Sequence, residues 1–270
     1  MSGEPRRGHP PILKSLGQHF LTDRAVLARI ADALVLAPTE TVVEIGPGRG
    51  ALTELLRERA ARVEAVEIDR MLAANLAERF ASDAHVRITQ ADALKVTFGE
   101  LAGGPYALVG NVPYYITTPL IFRALEPPRP ARAVFLVQRE VADRMIAPPG
   151  SKTYGALSVN VQALARVELL FRVPASAFLP PPKVESAVVR LTPLATPLVP
   201  ADLEPRFGPF VQELFTMRRK QLRRAIRTVA RVDADGATEI LERCAIDPEA
   251  RAETLGPSQF VALLQSVDQQ

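Results

Sequence analysis

Residues 42–52 read VVEIGPGRGAL. A run of β-branched residues carrying one acid leads into three glycines spaced by a proline and an arginine, and an apolar-periodic stretch follows. This is the pattern of a buried strand that turns directly into a helix. Gly46, Gly48 and Gly50 have no Cβ to hold a ligand away from the backbone of the turn. Taken alone, the stretch is compatible with a nicotinamide dinucleotide site, an S-adenosylmethionine site or a tight structural turn.

Working outward, the same alternation recurs. ARVEAVEID (61–69), HVRITQAD (85–92), YALVGNV (106–112) and ARAVFLVQ (131–138) read as further strands, separated by helical patterns such as MLAANLAERF. Upstream, Asp23 is placed to cap a helix in which Val26, Leu27, Ile30 and Leu34 share a face. Strands alternating with helices imply right-handed crossovers and a mainly parallel sheet. SVNVQALARVELLFRV (158–173) and ESAVVRLTP (185–193) are expected as two late strands, closing one edge as an antiparallel pair. The expectation is an α/β fold with a seven-stranded sheet up to about residue 193.

The boundaries expected from composition are a flexible tail over 1–13, a catalytic domain over 14–193, a linker over 194–205 and a helical domain over 206–270. In the last of these, PFVQELFTMRRKQLRRAIRTVA places Val211, Leu214, Phe215, Leu222 and Ile226 near one face, and Asp247 and Ser258 are expected caps for later helices. Between Leu214 and Val232 lie Arg218, Arg219, Lys220, Arg223, Arg224, Arg227 and Arg231, with no acid among them. Such a block suits a polyanion, although a solvated helix face or pairing with acids elsewhere in the fold would also explain it. The lone Cys244 excludes a disulfide framework and a thiolate metal cluster. No signal peptide and no run long enough to span a membrane is read, so a cytoplasmic location without membrane partners is expected.

Three acids bear on the glycine-rich turn. Glu44 lies in the strand just before the glycines, where a carboxylate suits an ammonium and a sulfonium better than a pyrophosphate. Glu67 ends the next strand, a position from which a carboxylate accepts ribose hydroxyls. Asp92 follows the third strand and could accept from an adenine amino group. Each could equally be an ordinary strand-end or capping acid. All lie at carboxyl ends of successive strands, where open parallel sheets place their ligands.

GNVPYYITTP (110–119) ends the fourth strand with an amide, an imide and a phenol ring. The Asn111 side-chain oxygen and the Val112 carbonyl form a pair of acceptors suited to an exocyclic amine, whose nitrogen is a poor nucleophile while conjugated to its ring. Pro113 restricts Val112 and stiffens the turn. Tyr114 offers a face on which a base stacks, so Tyr114→Phe is expected to be mild. A capping Asn with a packing Tyr is the plainer alternative.

Beyond these motifs, KSLGQHFL, EIGPGRGALT, VEID, ADAL, GNVPYYITTPL, FLVQREVADRM, YGALSV, FLPPPKVESAVVRL, LFTMRRKQLR and RAETLGPSQF cover nearly the whole chain. Together they resemble the ribosomal RNA adenine N6-dimethyltransferases, in particular the bacterial small-subunit branch. The resemblance implies a Rossmann-like S-adenosylmethionine-dependent methyltransferase sheet with a small C-terminal helical domain. It implies His19, Leu21, Gly46, Glu67, Asp92 and Asn111 around the cofactor, beside the Glu44 and Gly48 already read from the turn, with Tyr114 as the stacking ring and Phe178 as a second aromatic beside the target base. His19 stands where the family more often has Asn, and Val112 where it more often has Leu or Ile. The implied reaction dimethylates two adjacent adenosines near the 3′ end of 16S rRNA within a pre-30S assembly intermediate, yielding S-adenosylhomocysteine without a metal. The implied enzyme acts as a monomer and uses Arg218, Arg219, Lys220, Arg223, Arg224 and Arg227 on RNA. A large-subunit (23S) or other nucleic-acid adenine methyltransferase, an NAD-dependent oxidoreductase and a non-catalytic assembly factor are the rival readings.

Overall fold

Alternating β-branched runs and helix formers set out the chain, and the computed structural model describes residues 19–269 of it. The tail expected over 1–13 lies outside the described residues, as does the stretch 14–18. In chain order the elements are β1 (Phe20–Leu21), α1 (Arg24–Ala33), β2 (Thr41–Ile45), α2 (Ala51–Leu56), β3 (Arg62–Glu67), α3 (Arg70–Arg79), β4 (Val86–Gln90), α4 (Phe98–Ala102), β5 (Tyr106–Asn111), α5 (Thr117–Ala124), β6 (Arg132–Gln138), α6 (Arg139–Met145), α7 (Ala156–Gln162), β7 (Ala165–Val173), β8 (Phe178–Leu179), β9 (Ser186–Pro193), α8 (Glu204–Thr216), α9 (Leu222–Ala230), α10 (Ala234–Arg243) and α11 (Pro257–Asp268).

Seven strands form one sheet in the order β4-β3-β2-β5-β6-β9-β7. The five from β4 to β6 are parallel, and β9 runs antiparallel to β6. The sheet is an α/β sheet of the expected strand number. The order reverses between β2 and β5, so the crevice past their carboxyl ends is the place where such folds bind ligands. Here Ile45 lies opposite both Val66 and Gly110. A separate short pair, β1 with β8, sets Leu21 against Phe178.

The late segment differs from its sequence reading. Residues 156–162 are helix α7, and only 165–173 form a strand. Leu157, Val159 and Val161 are all buried, and a short continuous buried run is ambiguous between helix and strand by periodicity alone.

Two compact units emerge. The first holds the described residues through Arg139 together with Leu169–Leu191; the second holds Glu140–Glu168 and the chain from Thr192 onward. Segment 140–168 thus joins a unit that the sequence reading began at 206. Tyr154 explains part of this: it is fully buried, its hydroxyl donates to Leu255 O at 2.7 Å, and its ring meets Phe215 edge-on. Phe207, Leu214, Leu222, Ile240 and Phe260 fill the same core. The amphipathic run expected over 209–230 is two helices, α8 and α9, separated by a turn in which Lys220 N–H bonds Met217 O at 2.8 Å. Asp23 caps α1 as expected, accepting from Ala25 and Val26 N–H. Asp233 caps α10, and α11 begins at Gly256 with Gln259 rather than at Ser258; Asp247 instead caps a turn at Glu249.

The first unit buries Val42, Leu56, Val63, Leu76 and Phe80 around the turn that follows β2. Gly50 opens α2 with φ +78, and a Cβ there would lie 2.7 Å from Leu76 Cδ2. Since Leu76 is fully buried, it has no room to retreat. Gly50→Ala is expected to lower stability by about 1–3 kcal/mol, read as a lower urea midpoint at unchanged m-value.

Candidate active site

The carboxyl ends of β2, β3 and β5 and the turns after them enclose one cavity. His19, Leu21, Glu44, Gly46, Gly48, Glu67, Asp92, Asn111, Val112, Pro113, Tyr114 and Phe178 all line it. These are the residues singled out from sequence for cofactor and catalysis, and all belong to the first unit.

Glu67 organises the floor. Its Oε2 accepts the Gly48 N–H at 3.0 Å and its Oε1 the Asp69 N–H at 2.9 Å. Gly48 has φ +57, and a Cβ on it would stand 3.1 Å from the Phe20 ring; only glycine lets the amide reach the carboxylate under that ring. Glu67 is buried, and burial raises its pKa against the pull of these backbone donors. Glu44, equally buried, takes a 2.7 Å hydrogen bond from Thr53 Oγ1. Asp92 caps the short turn after β4 through Oδ1, which accepts from Leu94 N–H at 3.0 Å.

On the other wall, Asn111 closes β5 half-buried, and its side-chain amide has no hydrogen-bond partner among the described residues. Val112 is buried. The Pro113 carbonyl holds the next turn, accepting from Ile116 N–H and Thr117 Oγ1, so the Asn111–Tyr114 segment is anchored at its far end. The Tyr114 ring stacks on His19, with centroids 6.0 Å apart, while its hydroxyl bonds Ser186 Oγ at 2.7 Å. His19 Nδ1 bonds the Pro180 carbonyl at 2.9 Å, which places a hydrogen on that nitrogen because a carbonyl only accepts. Phe178 is only 4 % exposed; it belongs to the apolar core as well as to the cavity wall.

Sequence reasoning missed several members. Ser186 is far from residue 114 along the chain, and no local pattern links them. Thr53 could have been found as the helix residue one turn after Gly50. Arg49, between the glycines of the quoted turn, also lines the cavity. So does Tyr115, which is 62 % exposed.

The basic residues read from the tail are not part of this cavity. Arg219, Lys220, Arg223, Arg224 and Arg227 are exposed, whereas Leu222, Ala225 and Ile226 form the buried face of α9. Arg218 is engaged: it pairs with Glu253 and donates to Lys152 O. Among the described residues there is no cluster of three or more metal-ligating side chains, and no helix is long and apolar enough to cross a membrane.

Residues 12–269 match the family described as Ribosomal RNA adenine dimethylase. The Ribosomal RNA small subunit methyltransferase A of Xanthomonas campestris pv. campestris (strain B100) is 44% identical over 258 residues, covering 94% of this chain and 95% of its own. That of Moorella thermoacetica is 42% identical over 93% of this chain and 90% of its own. A crystal structure of a dimethyladenosine transferase from Plasmodium falciparum superposes with a TM-score of 0.81 at 26% identity, covering 93% of this chain and 98% of that one. That of the 23S rRNA methyltransferase ErmE gives 0.69 at 30%, covering 92% and 99%.

The cavity's charge has a measurable consequence. Burial, opposed by the Thr53 hydroxyl and aided by the charge of Glu67, pushes the Glu44 carboxyl up to about 7. A carboxyl raised in the folded state stabilises the fold below its unfolded value, and that contribution is lost as pH rises toward the folded pKa. Glu44 therefore makes the wild type less stable between about pH 4.5 and pH 7, by on the order of 3 kcal/mol. Glu44→Gln is expected to flatten this decline, leaving the variant more stable than wild type at about pH 8. Urea unfolding across that range checks it; parallel pH profiles for the two proteins would contradict it.

Proposed function

The chain belongs to the ribosomal RNA adenine dimethylase family and is an rRNA adenine methyltransferase, and from that premise we propose that it dimethylates N6 of two adjacent adenosines near the 3′ end of small-subunit (16S) rRNA during small-subunit maturation. The proposed donor is S-adenosylmethionine, leaving as S-adenosylhomocysteine. Small-subunit choice is supported by the curated relatives above, which carry that description over nearly their full length. The 23S reading has one observation in its favour, the 30% identity to ErmE, and is the outcome to test against.

The residues present suit this cofactor. Glu44 and Glu67 supply buried negative charge for an ammonium and paired acceptors for ribose hydroxyls, Asp92 an acceptor for an adenine amine, and Gly48 a close backbone approach. His19, Leu21 and Gly46 complete the proposed wall. When bound, the cofactor supplies a methyl group on a cationic sulfur, so the chain need only prepare the nucleophile. The observation that carries the catalytic reading is the Asn111 amide, without a hydrogen-bond partner among the described residues, on the same cavity as these acids. Its oxygen and the Val112 carbonyl accept the two N6 hydrogens of the target adenine, drawing the nitrogen toward a tetrahedral shape and offsetting the positive charge that develops there. Tyr114 holds the plane of the base by stacking, Phe178 closes the apolar side, and orientation supplies much of the acceleration. No strong base is needed, because the proton leaves after transfer. The adenine must be out of its stack to reach this position.

For the RNA, the exposed Arg219, Lys220, Arg223, Arg224 and Arg227 are proposed to meet phosphates, giving position and affinity rather than base reading. Arg218, held by Glu253, is assigned a structural share of that surface. The helical portion is thus proposed to choose the site, the sheet portion to perform the transfer, and the enzyme to act as a monomer in the cytoplasm.

Mass spectrometry of rRNA from cells lacking the gene tests the target. Loss of the adjacent dimethyladenosines from small-subunit RNA is expected, with recovery on restoring the wild type but not Asn111→Ala; loss confined to large-subunit RNA would overturn the assignment. Tyr114→Phe should not be as mild as stacking alone implies. It leaves the buried Ser186 hydroxyl without its 2.7 Å partner, so a drop in kcat/KM of about fivefold to tenfold is expected, between wild type and Tyr114→Ala. A Phe variant indistinguishable from wild type would show that the ring is held by packing alone.

A further inference from the structure

We propose that Arg49 binds the carboxylate of the methionine portion of the cofactor, an inference that rests on the S-adenosylmethionine reading above. The cofactor carries one anionic group, and the cavity is poorly matched to it: Glu44, Glu67 and Asp92 line it with acidic side chains. Among the described residues, Arg49 is the only Arg or Lys lining the cavity. Its guanidinium has no hydrogen bond or ion pair among the described residues, and its Nε is shielded from solvent while donating to nothing. A guanidinium nitrogen in that state has lost water without a replacement acceptor, a cost that a ligand oxygen removes.

The rest of the local structure fixes where this side chain can act. Its guanidinium carbon stands 4.6 Å from the centroid of the Phe20 ring, a cation–π contact that orients the fork without using its N–H donors. Its carbonyl accepts from Arg79 Nη1 at 3.0 Å, and it lies between Gly48 at φ +57 and Gly50 at φ +78. The turn is therefore held on both sides. A planar guanidinium matches a carboxylate through two parallel hydrogen bonds, which a lysine ammonium cannot reproduce. Placed in the turn after β2, on the cavity shared with Glu44, Arg49 would let the two residues divide the zwitterion between them: the acid takes the ammonium and the base the carboxylate. An RNA phosphate is the competing anion, but the shielded Nε favours a small ligand within the cavity over a polymer backbone.

The test is calorimetric binding of S-adenosylmethionine and of its decarboxylated form, which keeps the adenosine, sulfonium and ammonium groups, to the full-length wild type, Arg49→Met and Arg49→Lys. Wild type is expected to prefer the intact cofactor by about tenfold or more. Arg49→Met should lose that preference by weakening for the intact cofactor alone, its affinity for the decarboxylated form staying within about twofold of wild type, with Arg49→Lys between them. The unchanged ligand reports that the variant is folded. Equal weakening toward both ligands, or an undiminished preference in Arg49→Met, would overturn the assignment. So would lost affinity for rRNA with cofactor binding intact, which would place a phosphate on Arg49. A wild type that binds both forms equally sinks the role of Arg49 only; one that binds neither sinks the cofactor reading beneath it.

Discussion

The Gly48 N–H to Glu67 Oε2 hydrogen bond joins the turn after β2 to the end of β3, and the shape of the cavity depends on it. A buried carboxylate must find donors, and Glu67 finds them in two backbone amides, one from each side of its strand end. The glycine is needed twice over, for its positive φ and for the Phe20 ring that lies against its missing Cβ. With that contact made, the turn is closed against β3, and Arg49 and Gly50 take their places as consequences. The neighbouring strand supplies the other wall because β5 pairs with β2 in register, Gly110 opposite Ile45. Parallel pairing at the point where strand order reverses is what brings a loop from residue 46 and a loop from residue 111 to one crevice.

That closure also explains the cavity's unusual electrostatics. Glu44 and Glu67 sit on adjacent strands, both buried; burial raises the pKa of each, and the charge of Glu67 makes ionisation of Glu44 harder still. Two buried, electrostatically coupled carboxyls are a poor choice for stability. In the proposed function they have a use, since a bound cation restores the ionised form that burial disfavours. The fold tolerates them because Thr53 and the Gly48 and Asp69 amides satisfy part of their acceptor capacity before any ligand arrives.

Much of this was legible in the sequence because it is written in local order. The β2 turn, the strand-end acids and Asn111–Tyr114 each follow a strand, and a parallel sheet converts sequential strand ends into spatial neighbours. What was not legible depends on contacts across long separations or on competition between equally plausible local forms. Ser186 reaches Tyr114 only because β9 runs antiparallel beside β6, which no window of sequence contains. Helix α7 was read as strand since its buried residues leave no polar period to count. That residues 140–168 cluster with the later helices is not legible locally, because Tyr154 looks like any core aromatic until its hydroxyl is seen on Leu255 O. The basic block kept its exposed character on α9, but Arg218 was removed from it by Glu253, an acid more than thirty residues away in the chain.

Asn111 shows how these constraints meet in one choice of residue. In the proposed mechanism this position holds an acceptor aimed at an amine, and a carboxylate is the stronger acceptor. Yet the cavity already holds Glu44 near the edge of neutrality at physiological pH, its pKa pushed up to about 7. A further acid beside Glu44 and Glu67, half-buried and facing like-charged neighbours, would have its own pKa raised. Once protonated it would present a donor where an acceptor is required; left ionised, it would compete for the sulfonium. An amide accepts at every pH and adds no charge. The acids that would hold the cofactor thereby dictate a neutral acceptor for the target, and Asn is the short side chain that supplies one from the last position of a strand.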